Sequence, residues 1–281
     1  MNMKISFIGA GKMAEALIAR LRSSSFGGQA RLFASDVDGK RLQYLKNKYR
    51  ARIARSNVEA FLAGDIIILA VKPQQMAEVL DEISRACRQA GNAIRVTGNV
   101  KLVISIAAGI PLSYLQKKLP HYAVVRAMPN NPALVGEGIT AIASGTRVSR
   151  IALRVTKQIF ESVGEVVVVP EKLMDAVTGL SGSGPAYVYQ MIEAMTEGGV
   201  KAGLPKKTAA KLATQTVLGA AATVKKTGRQ PAELRAMVTS PGGTTLEGLK
   251  ALDKRKFSQA VVEAVKAAAK KSTALSKKWA I

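Results

Sequence analysis

The chain has 281 residues, 48% of them hydrophobic, which suits two domains or one large one around a sizeable core. Its 42 Lys+Arg against 19 Asp+Glu give a net charge of +23, and a single cysteine and a single histidine exclude an internal disulfide and any Cys- or His-cluster metal site. No apolar run approaches the ~18 residues of a membrane span; the longest, Ile66–Val71, is bounded by Asp65 and Lys72.

The N-terminus, MNMKISFIGAG, enters a strand pattern at once and has no signal-peptide layout, so the expected location is cytoplasmic. Lys4–Ile8 is a short apolar run ending at a glycine, and Met13–Arg22 has helical spacing. Arg31–Ser35 reads as a second strand and Lys40–Tyr49 as a charged helix. Asp65–Val71 is a β-branched run of the kind found in parallel strands buried on both faces. Gln74–Arg88 is helical, and Leu102–Ala107 and Ala123–Ala127 are further strands. Ile139–Ala143 and Glu165–Val169 flank a helix near Val148–Ser162 and complete the sheet. This alternation predicts an α/β fold with a doubly wound parallel sheet over residues 1–170.

After Pro170 the strand-like runs stop, and Ala, Lys, Thr and Met recur at helical spacing. Val188, Met191, Ile192 and Met195 make one apolar stripe, and Phe257, Val261, Val265 and Ala268 another. Residues 171–281 are therefore predicted to be all-helical, with stripes that serve either a partner subunit or an ordinary intrachain core. The Lys-rich face of the last helix reads as a solvated face in preference to a membrane-surface one.

The positive charge invites a nucleic-acid reading. The basic residues are scattered over Arg41–Arg55, Lys117–Lys118, Lys206–Lys211 and Lys266–Lys278, without interleaved aromatics. A solvated surface that also attracts anionic ligands is the favoured reading, with no specific nucleic-acid partner.

Gly9-Ala10-Gly11-Lys12-Met13-Ala14 fits G-x-G-x-x-G/A directly after a strand and at the start of a helix. In that setting Gly9 permits a tight turn, Gly11 admits a pyrophosphate close to the backbone, and Ala14 allows close helix–strand packing. The helix start supplies free N–H groups and the positive end of its dipole, so the N-terminal sheet is of the Rossmann type. The second strand ends at Ser35-Asp36. A carboxylate there holds the adenosine ribose of NAD and repels a 2′-phosphate. Against this, Ser35 offers a hydroxyl to a phosphate, with Lys40 and Arg41 nearby, and Asp36 is also placed to cap the next helix. The residues alone leave the choice of dinucleotide open.

Ser240-Pro241-Gly242-Gly243 is a turn, and Thr244-Thr245-Leu246-Glu247 then begins a helix. Thr244 and Glu247 have capping-box spacing, which explains one threonine and the glutamate but not two glycines and two further hydroxyls. A Gly-Gly turn feeding a helix start exposes N–H donors in one concavity, a seat for a carboxylate, with Ser240 and Thr245 hydroxyls beside it. Two other segments, Val125–Pro132 and Gly179–Tyr187, are loop-like and weak when taken singly.

Taken together, FIGAGKMAEAL, AVKPQQM, VRAMPNNPALVGEG, LSGSGPAYVYQMIEA and SPGGTTLEGLKALD resemble pyrroline-5-carboxylate reductase in order and approximate spacing over nearly the whole chain. The resemblance implies reduction of 1-pyrroline-5-carboxylate to L-proline with NADPH, or NADH as the alternative; the single Cys87 and single His121 already point to a metal-free protein. It implies a homodimer interlocked through the helical domain, and a ring of such dimers. Carried onto this chain, it assigns Gly9, Gly11, Lys12 and Met13 to the pyrophosphate. Ala70, Val71, Lys72 and Pro73 fall to the ribose region, and Pro129 and Asn130 to the nicotinamide end. Ser240, Gly242, Gly243 and Thr244 fall to the substrate carboxylate, and Thr245, beside the ring nitrogen, is the catalytic candidate. Thr227-Gly228-Arg229-Gln230 and Asn92–Asn99 depart from the family pattern.

Hydride transfer to a protonated imine needs no strong general acid, so a site of hydroxyls and backbone N–H groups suits it. A β-hydroxyacid dehydrogenase would place a lysine on the helix after the Gly-rich turn. That helix reads PAYVYQMIEAM, with no lysine before Lys201. A nucleotide-sensing protein on the same fold would have no need of the SPGGTT hydroxyls.

Overall fold

The computed structural model describes residues 3–24, 26–89 and 101–279; Asn92–Asn99 lies outside the described residues. The chain divides into two compact units, Met1–Gly182 with Ala268–Ile281, and Ser183–Ala267. This division falls beyond Pro170, and it returns the end of the last helix to the first unit.

Among the described residues the first unit contains eight strands: β1 Lys4–Ile8, β2 Arg31–Ser35, β3 Arg52–Ile53, β4 Ile66–Leu69, β5 Leu102–Ser105, β6 Ala123–Met128, β7 Gly138–Ser144 and β8 Gly164–Val168. They form one sheet in the order β3-β2-β1-β4-β5-β6-β7-β8. The helices α1 (Lys12–Ser23), α2 (Gly39–Tyr49), α3 (Asn57–Ala63), α4 (Met76–Gln89), α5 (Leu112–Lys118) and α6 (Arg150–Glu161) connect them, and neighbouring strands run parallel with one exception. β7 is antiparallel to β6. The link between these two holds only a 3₁₀ turn at Asn131–Val135, which is too short for a crossover.

β3, α3 and α5 were not anticipated in sequence. Each is too short to show a period, although the Ser56 hydroxyl caps α3 by accepting from the Glu59 N–H at 3.0 Å. The β4 run is buried throughout, with Ile66 and Ile68 in the core on one face of the sheet and Ile67 and Leu69 in the core on the other. Burying each such side chain stabilises the fold by ~1.5–3 kcal/mol. This two-sided burial explains a continuous apolar run without alternation.

Register sets the functional edge. Ile8 pairs with both Ser35 and Leu69, and Leu69 pairs with Ser105, so the carboxyl ends of β1, β2, β4 and β5 lie level. The chain leaves β1 for β2 on one side and later places β4 on the other. That is the switch point at which open α/β sheets bind ligands.

The second unit contains α8 (Gly184–Lys201), α9 (Lys206–Thr227), α10 (Pro231–Met237), α11 (Thr244–Lys254) and the start of α12 (Phe257–Lys277); a short α7 (Met174–Val177) precedes it in the first unit. A Cβ on Gly199 would lie 3.1 Å from the Ala209 Cβ, so small residues bring α8 and α9 close together. Ala209 and Ala213 are the described core residues of this unit, whereas Val188, Met195, Leu212, Phe257 and Val261 are exposed. Met191, Ile192, Val265 and Ala268 are half-buried, so the apolar stripes are covered only in part within the chain. The end of α12 packs on the first unit, where Trp279 meets Tyr114 edge to face at 4.8 Å.

Candidate functional site

Gly9 turns the chain at φ +98°, a conformation that L side chains avoid, and a Cβ there would stand 2.7 Å from the Ala70 carbonyl carbon and 2.8 Å from the Val71 nitrogen. Glycine is required because the backbones after β1 and β4 touch. Gly11 differs: φ is −66° and a Cβ would meet nothing within 4 Å, so its bareness leaves space at the start of α1. Gly11 is also the N-cap of α1 and makes no side-chain cap. The first-turn N–H groups of Lys12 and Met13, which have no intrahelical acceptors, therefore stay available to an anion. Ala14 is fully buried, as close packing of α1 on the sheet demands.

The loop between Gly9 and Gly11 is pinned from the β2 end. The Gly9 N–H donates to the Ser35 carbonyl at 2.8 Å, and the Ala10 N–H donates to Asp36 Oδ2 at 2.6 Å. The Arg41 Nε donates to the Ala10 carbonyl at 2.7 Å, and its guanidinium pairs with Glu15. Two sequence expectations are corrected here. Asp36 does not cap α2; Asp38 does, accepting from the Lys40 and Arg41 N–H groups at 2.9 and 3.1 Å. Ser35 and Arg41 are not placed to hold a phosphate. Ser35 is buried and donates to Asn57 Oδ1 at 2.9 Å, while Arg41 is spent on the loop and on Glu15. Burial works to raise the Glu15 pKa, but hydrogen bonds from Arg41 and Tyr44 outweigh it and hold the carboxyl at about 2.

A cavity of ≈ 320 Å³ opens at this edge. Of the residues expected at the cofactor, Gly9, Gly11, Asp36, Ala70, Val71 and Lys72 line it. Lys12, Met13, Ser35, Pro73, Pro129 and Asn130 do not. Met13 packs against the core, leaving its N–H as its contribution, and the Lys12 side chain is exposed beside Glu15. Asn130 is nearly buried, and its Oδ1 accepts the Ile139 N–H at 2.9 Å, fastening the turn into β7. The sequence reading missed Val37, Asn57, Gln75 and the α4 residues Glu78, Val79 and Glu82. Val37 and Gln75 adjoin residues already expected there, whereas nothing local marks Glu78, Val79 and Glu82, since α4 enters the cavity wall only through its packing beside β4.

In the second unit, the Gly243 N–H donates to the Ser240 carbonyl at 3.0 Å and Gly242 has φ +70°. Pro at the second place and a positive-φ glycine at the third fit a type II turn. A Cβ on Gly243 would lie 2.4 Å from Ser240 Oγ, so this position keeps the hydroxyl close to the backbone. The capping-box expectation is overturned: Gly243 is the N-cap, with no side-chain cap, and Glu247 pairs with Lys250 at 2.7 Å. Thr244 and Thr245 become the first two helical residues, their N–H groups lack intrahelical acceptors, and both side chains are exposed. The turn thus presents donors and hydroxyls with no titrating group inside the motif.

Two remaining motif segments meet in the first unit. Residues 178–182 form a π-helical turn, and a Cβ on Gly182 would stand 2.6 Å from Met128 Cε at the end of β6. Nearby, Arg126 is buried and pairs with Glu171 at 3.3 Å and Asp175 at 3.7 Å. Asp175 in turn accepts from Ser272 at 2.7 Å and Ser276 at 3.2 Å, which fastens the end of α12. On α8 the Lys201 ammonium is exposed and paired with Glu197 at 2.6 Å, which is no setting for a catalytic lysine.

Comparison with known proteins agrees with this layout. Residues 171–275 match the family model for pyrroline-5-carboxylate reductase dimerisation, and residues 4–109 match that for NADP oxidoreductase, coenzyme F420-dependent. The chain is 48% identical over 278 residues to the pyrroline-5-carboxylate reductase of Synechocystis sp., covering 99% of this chain and 100% of that one. It is similar to the solved structure of a pyrroline-5-carboxylate reductase from Coxiella burnetii (TM-score 0.87, 32% identity, 98% of this chain and 99% of that one). It is also similar to the pyrroline carboxylate reductase of Plasmodium falciparum solved with NADP bound (TM-score 0.84, 33% identity, 98% of each chain).

Proposed function

The chain belongs to the pyrroline-5-carboxylate reductase family, and from that premise we propose how its residues divide the work of reducing 1-pyrroline-5-carboxylate to L-proline with NAD(P)H. The domain from residue 1 to about 170 holds the dinucleotide, and residues 171–281 bind substrate and self-associate. Gly9, Gly11 and the N–H groups of Lys12 and Met13 seat the pyrophosphate. Asp36, Ala70, Val71 and Lys72 surround the ribose region, with Pro73 behind it, and Pro129 and Asn130 shape the nicotinamide end. The fit rests on the Gly9 cradle, which a Cβ would fill, and on the uncapped start of α1.

When bound, the reduced nicotinamide supplies a hydride to the C=N carbon of the protonated imine, and the nitrogen becomes the secondary amine of proline. The protein's own part is positioning. The helix start at 243–245 receives the substrate carboxylate on backbone N–H groups, where the dipole favours negative charge. Ser240 and Thr244 close that seat, and the Thr245 hydroxyl accepts from the ring N–H and so orients the reacting carbon. No residue there must gain or lose a proton, which agrees with a motif free of His, Lys and Asp.

The observation that carries this reading is the uncapped helix start behind a Pro-Gly-Gly turn with two adjacent threonines. The family domain supports a self-associating enzyme, and the partly exposed apolar stripes of α8 and α12 favour an obligate dimer, for which the family resemblance implies further assembly into a ring of dimers. No described helix is long and apolar enough to cross a membrane. The single, partly buried Cys87 fits a reducing, cytoplasmic setting. The test is oxidation of NADPH and NADH followed at the nicotinamide absorbance, with and without 1-pyrroline-5-carboxylate, and the product resolved by chiral chromatography. Substrate-dependent oxidation yielding L-proline is expected; absence of turnover with both donors sinks the reading.

A further inference from the structure

Resting on that reading of the cavity, we infer that the adenosine end discriminates between the two donors and holds NADH more tightly than NADPH. The two differ by a 2′-phosphate on the adenosine ribose, so the discriminating groups are those beside that hydroxyl at the end of β2. Asp36 stands there on the cavity wall. Its Oδ2 accepts the Ala10 N–H at 2.6 Å and its Oδ1 the Asp38 N–H at 2.9 Å. These bonds fix the carboxylate but use about two of its four lone-pair directions, leaving the rest for ribose hydroxyls. A phosphate brought to the same place would face a fixed negative charge.

Of the groups able to reverse that preference, Ser35 and Arg41 are committed elsewhere, and Lys40, exposed in the first turn of α2, is not among the residues that line the cavity. The Ser35 hydroxyl is buried against Asn57, and the Asn57 Nδ2 donates to Glu82 Oε2 at 2.8 Å, which sets a second carboxylate in the wall. The Arg41 guanidinium is turned to the Ala10 carbonyl and to Glu15. The residue after Asp36 is Val37, 93% exposed and uncharged. Among the described residues the charged groups lining the cavity are Asp36, Glu78, Glu82 and Lys72, three carboxylates to one ammonium. The +23 surface attracts both dinucleotides, and NADPH the more strongly. That field is diffuse and is screened beyond the ~8 Å Debye length of physiological salt, whereas the wall acts at contact distance. The local effect decides, and NADPH is accepted at lower affinity.

The experiment is a titration of the substrate-free enzyme with NADH and with NADPH, read by nicotinamide fluorescence at physiological salt. The expected Kd is roughly tenfold or more lower for NADH than for NADPH. Val37→Arg leaves every Asp36 contact in place and supplies a cation at an exposed position, so it should narrow the ratio severalfold. Asp36→Asn with Val37→Arg should bring it to unity or reverse it. Equal or tighter binding of NADPH by the unmodified enzyme overturns the inference and leaves the cofactor site standing. So does a ratio that Val37→Arg does not move. Failure of both dinucleotides to bind removes the site reading itself.

Discussion

The two glycines of the phosphate turn answer different physical demands, so their alanine variants should fail in different ways. At Gly9 a methyl group is forced into φ +98° and against the backbone between Ala70 and Val71, at 2.7–2.8 Å. That backbone cannot easily yield, because the Ala70 N–H is bonded to the Ile8 carbonyl at 2.7 Å. The conformation costs ~1–3 kcal/mol and the overpacking ~1–3 kcal/mol more. Gly9→Ala should therefore lose about 2–6 kcal/mol and lower Tm by roughly 5–15 °C. At Gly11 the backbone is ordinary and a Cβ meets nothing within 4 Å. Reduced chain entropy offsets the weaker N-cap, so Gly11→Ala should be neutral in stability to within ~1 kcal/mol. Its methyl group lies on the cavity wall, however, and should lower NADH and NADPH affinity roughly tenfold or more, about 1.4 kcal/mol. Thermal melts and fluorescence titrations on both variants separate the effects. A Gly9→Ala melt within about 2 °C of the parent refutes the cradle argument. Unchanged affinity in Gly11→Ala refutes the seat.

Thr245→Ala should lower kcat and kcat/KM together by roughly ten- to a hundredfold with cofactor affinity intact. Thr244→Ala, no longer a cap, should leave Tm within about 2 °C of the parent and act on KM instead; steady-state kinetics with melting curves tell the two apart. Arg126→Met removes the cation shared by Glu171 and Asp175, which keep other donors and partial exposure, and should cost about 1–3 kcal/mol. A chemical-denaturation shift below about 1 kcal/mol would show that the network does not fasten α12. Glu15, held at about 2 against an ordinary 4.5, contributes stability that is fully present above pH 4.5 and lost as pH falls toward 2. Discounted for screening, that is about 1–2 kcal/mol at neutral pH. Denaturation midpoints measured from pH 7 to 3 should fall less steeply in Glu15→Gln, and parallel curves would remove Glu15 from the account.

Some of this molecule is decided by adjacency in the chain. The Gly9–Ala14 turn, the two-sided apolar run of β4 and the Ser240–Thr245 helix start were legible because each depends on the conformational limits of a few consecutive residues and on side-chain periodicity. The identity of the cap was not legible. Asp36 and Asp38 are equivalent in sequence, and only the start of α2 at Gly39 gives the capping role to Asp38 and frees Asp36 for the cavity. Ser35 and Arg41 looked like phosphate ligands until the register of β2 buried one and the β1 loop claimed the other. Glu78 and Glu82 join the site only because α4 packs beside β4, and the end of α12 belongs to the first unit through long-range contacts that include Asp175, Tyr114 and Gly109. Local sequence sets which backbone turns and helix starts can form. Which side chains remain free to meet a ligand is decided by what their long-range partners have already taken, and those partners are brought together only when the sheet assembles.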